Sequence, residues 1–136
     1  MMLATVTYAV VLALRTPATG LGTPEPWMRF AFPGAGALAL LLSIAWTRSR
    51  VPDGAPRDGG ALPAPAEFST ASIVGMAMAE ASAVLGFTWC VLSGNGWREY
   101  LPFGLGTLLV LTLICVPRGL AYWTAWESSV ASRGPR

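Results

Sequence analysis

Histidine is missing from this 136-residue chain, and so is lysine, because all nine basic residues are arginine. Without an imidazole, nothing can ligate haem, chlorophyll or a metal through histidine, and no Ser–His or Cys–His catalytic pair can form. Without a lysine amine there is no Schiff base to retinal or pyridoxal phosphate. The absence of these two residues disfavours most cofactor-dependent membrane enzymes, and no cofactor or metal site is expected. Charge is scarce as well. Charged residues make up 12% of the chain and hydrophobic ones 54%, against roughly 25% charged in an average soluble domain. The formal net charge is only +2, and no basic run is interleaved with aromatics, which removes nucleic acid as a partner. Cysteine is limited to Cys90 and Cys115, in neither a CxxC nor a metal spacing, and both read as small buried apolar residues.

What remains is a membrane composition. No hydrophilic block is long enough to fold alone, so residues 1–136 form a single transmembrane domain. The first segment is expected over residues 2–21. Its uncharged part ends at Leu14 and rises only about 21 Å, short of a roughly 30 Å hydrocarbon core, so the helix should run past a snorkelling Arg15. A signal peptide is the alternative, but a basic start and an A-x-A-like site are both lacking. Pro17, Gly20, Gly22, Pro24 and Pro26 make a loop. The second segment, 30–47, lies between Trp27 and Trp46, as aromatic belts at the two interfaces would place them. Residues 48–68 carry Arg48, Arg50, Asp53, Arg57 and Asp58 among prolines, glycines and alanines, and read as a mobile cytoplasmic linker. The third segment is 70–92, with Ser69 or Thr70 as its cap. A turn at 94–98 leads to the fourth, 100–116, where Pro102 is tolerable in the first turn and Pro117 ends the straight part. Tyr122, Trp123 and Trp126 share one side at helical spacing, predicting a separate interfacial helix over 119–130.

The expected fold class is therefore all-α: a polytopic membrane protein, a bundle of four transmembrane helices built from two similar helical hairpins. The similarity is carried by segments two and four, where Trp27, Phe30, Gly34, Gly36 and Arg48 match Trp97, Tyr100, Gly104, Gly106 and Arg118 at a constant offset. Such a repeat is parallel, unlike the inverted repeats common in alternating-access transporters. Arg48, Arg50, Arg57, Arg118, Arg133 and Arg136 fall on the linker side, and Arg15, Arg29 and Arg98 on the other. The excess places both termini and the linker in the cytoplasm, with the chain as a multi-pass protein of a bacterial-type cytoplasmic (inner) membrane.

The residue that stands out is Glu80, alone in the small, apolar stretch 75–87. A charge at the centre of a bilayer costs about 2.5–3.5 kcal/mol on insertion scales, so an acid there is a functional candidate. A carboxyl that gains and loses a proton at that depth couples to proton movement if neighbours stabilise both forms. Ser82 and Tyr8 are the candidate partners in a proton- or cation-binding site, with Ser72, Thr5 and Thr7 also within reach, and Arg15 is the one basic residue that could approach from a helix. A glutamate hydrogen-bonded as structural glue is the alternative. Ala71, Gly75, Ala79, Ser82 and Gly86 form a small-residue stripe, and Gly34, Gly36, Gly104 and Gly106 extend the close-packing surface to the other segments. An acid beside such a stripe suggests an oligomer with Glu80 near a subunit seam.

Ala79-Glu80-Ala81 followed by Gly86-Phe87 resembles the carboxylate helix of the c-type proteolipid subunits of rotary ATPases. Gly34 and Gly36 resemble the glycine-rich partner helix of that family, and Thr47-Arg48-Ser49-Arg50-Val51-Pro52 its polar loop. The resemblance covers residues 30–92 and implies that Glu80 binds a proton or cation in a ring of subunits. The small multidrug transporters also have four helices and one membrane glutamate, but theirs lies in the first helix. The expected function is a non-enzymatic integral membrane subunit of an oligomeric assembly, in contact with the lipid bilayer and with copies of itself or other membrane subunits. A purely structural accessory subunit and a small proton-coupled exporter are the alternatives. No nucleophile–base pair supports catalysis.

Overall fold

Apolar runs punctuated by proline and glycine set the helices. The computed structural model describes residues 2–14, 25–54, 61–94 and 97–132. In order, the elements are α1 (Met2–Leu14), α2 (Met28–Arg50), α3 (Pro65–Ser93), α4 (Trp97–Val110), a π-helical turn (Leu111–Cys115) and α5 (Val116–Ala131). The described residues form no strand. Three stretches are long and apolar enough to cross a membrane: Met28–Arg50, Pro65–Ser93 and Trp97–Ala131. The 13-residue α1 rises only about 20 Å, two thirds of a typical hydrocarbon core. The expectation of four spans therefore lacks support from helix length. Residues 15–21, which would extend α1, lie outside the described residues, as do Arg15, Arg57, Asp58, Arg133 and Arg136.

Two helix boundaries differ from expectation for local chemical reasons. The third helix starts at Pro65, ahead of residue 70, because proline in a first turn gives up an N–H that has no partner there anyway. Ala64 precedes it in an extended conformation with no side-chain cap, and Thr70 Oγ1 instead donates to Ala66 O within the helix at 2.9 Å. At its far end Gly94 adopts a left-handed φ of 69°, which closes the helix without a Cβ penalty. The second difference is at Pro117. The chain does not break into a transmembrane helix and a separate interfacial one. It continues helically through a widened turn in which Val116 N–H bonds Leu111 O, five residues back. The wide turn makes room for a proline ring that would otherwise clash one turn upstream.

Packing follows from α3 as the central helix. Ser43 Oγ donates to Gly75 O at 2.7 Å, Trp46 Nε1 to Ala71 O at 3.0 Å, and Thr107 Oγ1 to Ala79 O at 3.0 Å. These three acceptors lie one turn apart on α3, and their small side chains let α2 and α4 approach close enough for side chains to reach the main chain. Gly75 faces Thr47, Gly86 faces the Phe103 ring, and Gly36 faces both Phe103 and Ser82. These pairs make α2 and α4 antiparallel to α3 and parallel to each other. Leucines 38, 41, 105, 109 and 113 point outward from the bundle, as lipid-facing residues do.

Two further features secure the linker end. Arg118 Nη1 donates to Val51 O at 2.7 Å and to Thr47 O and Arg48 O at 3.4 Å; Thr47 O already accepts Val51 N–H at 3.0 Å, so the guanidinium chiefly serves Arg48 O and Val51 O at the end of α2. Its 3.9 Å ion pair with exposed Asp53 adds little. Tyr122 is fully buried, stacked on Phe68 at 3.7 Å and donating its hydroxyl to Pro63 O at 2.7 Å. The predicted interfacial helix over 119–130 is thus an extension of α4 docked onto the start of α3.

Candidate functional site

Glu80 stands near the middle of α3, between fully buried Ala79 and a turn from fully buried Ala83. Its side chain is half-buried, and Oε1 is shielded from solvent without a hydrogen-bond partner. No ion pair to it forms among the described residues, where the recorded pair is Arg118–Asp53. The face that carries Glu80 also carries Phe87, two turns on, and Phe87 stacks on Tyr8 of α1 at 4.9 Å. Tyr100, at the start of α4, donates its hydroxyl to Thr5 O at 3.1 Å. It lies within electrostatic range of both Tyr8 and Glu80. Glu80, Tyr8 and Tyr100 therefore share the α1–α3–α4 side of the bundle. Thr5 Oγ1 and Ser72 Oγ are also buried there or nearby in sequence phase, and neither has a partner.

Ser82 is not part of this group. At about 100° per residue it lies some 200° round the helix from Glu80, and it faces Gly36 and the Phe103 side of the bundle. Its hydroxyl is buried and unpartnered in a different environment. The expected triad of Glu80, Ser82 and Tyr8 is therefore divided by α3 itself. Tyr100 was not singled out as a site residue. Its signal was a tyrosine beside a membrane segment, whose buried hydroxyl needs an acceptor inside the bundle. The possible approach of Arg15 lies outside the described residues.

The packing stripe is also reassigned. Gly75, Ala79, Ser82 and Gly86 are buried and Ala71 is partly so, all against α2 and α4 of the same chain. A stripe used within the chain no longer argues for a seam between subunits. Gly36, Gly75, Gly86 and Gly106 each sit against a neighbouring helix. Gly34 does not, since nothing lies within 4 Å of where its Cβ would be, and Gly104 makes room for Tyr100 of its own helix. Both cysteines are free: Cys90 packs with Leu12 and Tyr100, and Cys115 Sγ lies 3.9 Å from Thr47 Oγ1. Among the described residues, no three His, Cys, Asp or Glu side chains come together to hold a metal. Comparison with protein-family models, with curated proteins and with solved structures returns no match.

Proposed function

We propose that this chain is a non-enzymatic integral membrane protein in which Glu80 is a reversible proton-binding carboxylate. One observation carries the reading: a carboxylate oxygen enclosed in the bundle with no hydrogen-bond partner. Structural glue would use that oxygen, and a group that changes protonation must leave it available in one state. Tyr8 and Tyr100 supply hydroxyls on the same side, and the tie from Tyr100 to Thr5 O holds α1 against the start of α4, with Tyr8 stacked on Phe87 of α3. The resemblance to proteolipid carboxylate helices agrees with a proton or cation at this position. The site works within one chain, because the small-residue surface beside it is already covered.

The linker and the C-terminal helix face the cytoplasm in this reading. Arg48, Arg50 and Arg118 lie at that end, and Arg29 and Arg98 at the other. Three helices cross fully, and α1 occupies the half of the bundle distant from the linker, where Leu12 packs with Trp89, Cys90 and Tyr100.

The test is infrared difference spectroscopy on the protein in lipid nanodiscs across a pH series. A protonated-carboxyl band that changes with pH and vanishes in Glu80→Gln is expected. Carbodiimide labelling at Glu80 should fall as the carboxyl ionises and, for a cation site, when the competing cation is added. A band unchanged between the two proteins at every pH would sink the proposal.

A further inference from the structure

On the side of α3 turned away from Glu80, a groove of about 890 Å³ opens between α2 and α4. That lies in the range of roughly 300–1,000 Å³ usual for small-molecule sites. Arg29, Arg98 and Glu99 stand at its mouth, Ala37 and Phe103 line its walls, and Ser82 lies on its floor. The groove reaches down to Leu40, and from Arg29 that is about 16 Å along α2, or roughly half the hydrocarbon thickness. It therefore spans the depth of a single leaflet, the one opposite the linker. Its polarity is divided: two guanidinium groups, the Glu99 carboxylate and the Ser93 hydroxyl towards the headgroup end, apolar walls below, and the Ser82 hydroxyl deeper inside.

Ser82 is the second, independent pointer. It is 1% exposed, and its hydroxyl has no partner. A serine in a helix can usually satisfy itself on the carbonyl one turn back. This one has no such bond, and its residue lines the floor of the groove beside Gly36 of α2.

We infer that the groove holds a glycerophospholipid drawn from that leaflet. Its phosphate is read by Arg29 and Arg98, one acyl chain lies over Ala37 and Phe103, and a carbonyl oxygen of an ester linkage accepts from Ser82. Arginine suits the role because its fork of donors matches a phosphate bidentately. Ser82 is about 10 Å below the backbone of Arg29 by helical rise, and the reach of an arginine side chain into the groove closes much of that gap. The inference needs the chain to sit in a bilayer. It does not need Glu80 to titrate.

Native mass spectrometry of the full chain, titrated with phosphatidylglycerol in mild detergent, tests it. One retained lipid per chain is expected. Arg29→Gln and Arg98→Gln should each weaken retention about fivefold, the effect of removing one basic contact at a lipid surface. Both arginines are exposed, so these variants should keep the circular dichroism melt of the parent. Ala37→Phe should abolish retention by filling the groove. Glu80→Gln should leave it unchanged, as should Arg48→Gln at the opposite end of α2. Diacylglycerol, which lacks the phosphate, should bind more weakly than phosphatidylglycerol, and millimolar inorganic phosphate should not displace the lipid. Retention that survives the two arginine changes and Ala37→Phe overturns the inference. So does equal binding of diacylglycerol, displacement by inorganic phosphate, or the absence of any retained lipid.

Discussion

At the scale of single residues, the glycines divide by what faces them. A methyl group at Gly86 would collide with the Phe103 ring of α4, whereas one at Gly34 would meet nothing within 4 Å. Gly86→Ala should therefore destabilise the bundle by about 1–3 kcal/mol, the usual cost of overpacking. Gly34→Ala should be neutral or stabilising by up to about 1 kcal/mol, since alanine is the better helix former. Thermal melts of the two variants in the same detergent read the difference directly, and equal losses would show that the α3–α4 contact is looser than described. The sequence assigned both glycines to close packing. For Gly86 the i, i+4 stripe was sufficient, because consecutive members lie on one face of one helix. For Gly34 the assignment came from the run of small residues at the start of the second segment, and no neighbouring helix comes within 4 Å of where its Cβ would be. Ser82 shows the same limit: proximity in the chain placed it beside Glu80, and helical phase places it behind.

Among the elements, α2 depends on its partner for its ending. Its last carbonyls have no capping side chain of their own, and Arg118 from the start of α5 supplies the donors. Arg118→Ala should cost about 1.5–3 kcal/mol, the range for hydrogen bonds to a charged group. Hydrogen exchange should quicken at the amides of residues 48–51, while those near Ser43 stay protected. Arg118→Lys should recover only part of this, because a lysine ammonium cannot fork across several carbonyls. The long apolar helices were legible from hydropathy and from tryptophans at the ends of runs. The start of α3 was obscured by Pro63 and Pro65, which look like linker until the first turn of a helix is recognised as a place that tolerates proline. The joining of α4 to α5 was not legible. Pro117 is a helix breaker in any local reading, but a widened turn accommodates it, and beyond it Tyr122 is held by Phe68 and Pro63.

For the whole molecule, the arginine distribution and the three long helices together make a prediction about sidedness. In intact cells, Asp53→Cys should react with an impermeant maleimide only after permeabilisation, and Glu25→Cys should react from outside. Both positions are exposed. Native Cys90 and Cys115 are buried or partly buried inside the helices and should contribute little background. The opposite pattern would invert the assignment and put the lipid groove in the cytoplasmic leaflet. The architecture as a class followed from composition, since a chain this apolar has few alternatives. The location of the acid within the bundle did not, because it depends on which helix covers α3 on each side.

The bond from Tyr100 to the Thr5 carbonyl joins residues 95 positions apart. At a synthesis rate of roughly 5–20 residues per second, the partner of α1 emerges about 5–20 seconds after α1 itself. During that interval the described part of the first helix lacks the surface it finally packs against. Packing of α1 is therefore a late event, completed only when the start of α4 has entered the membrane.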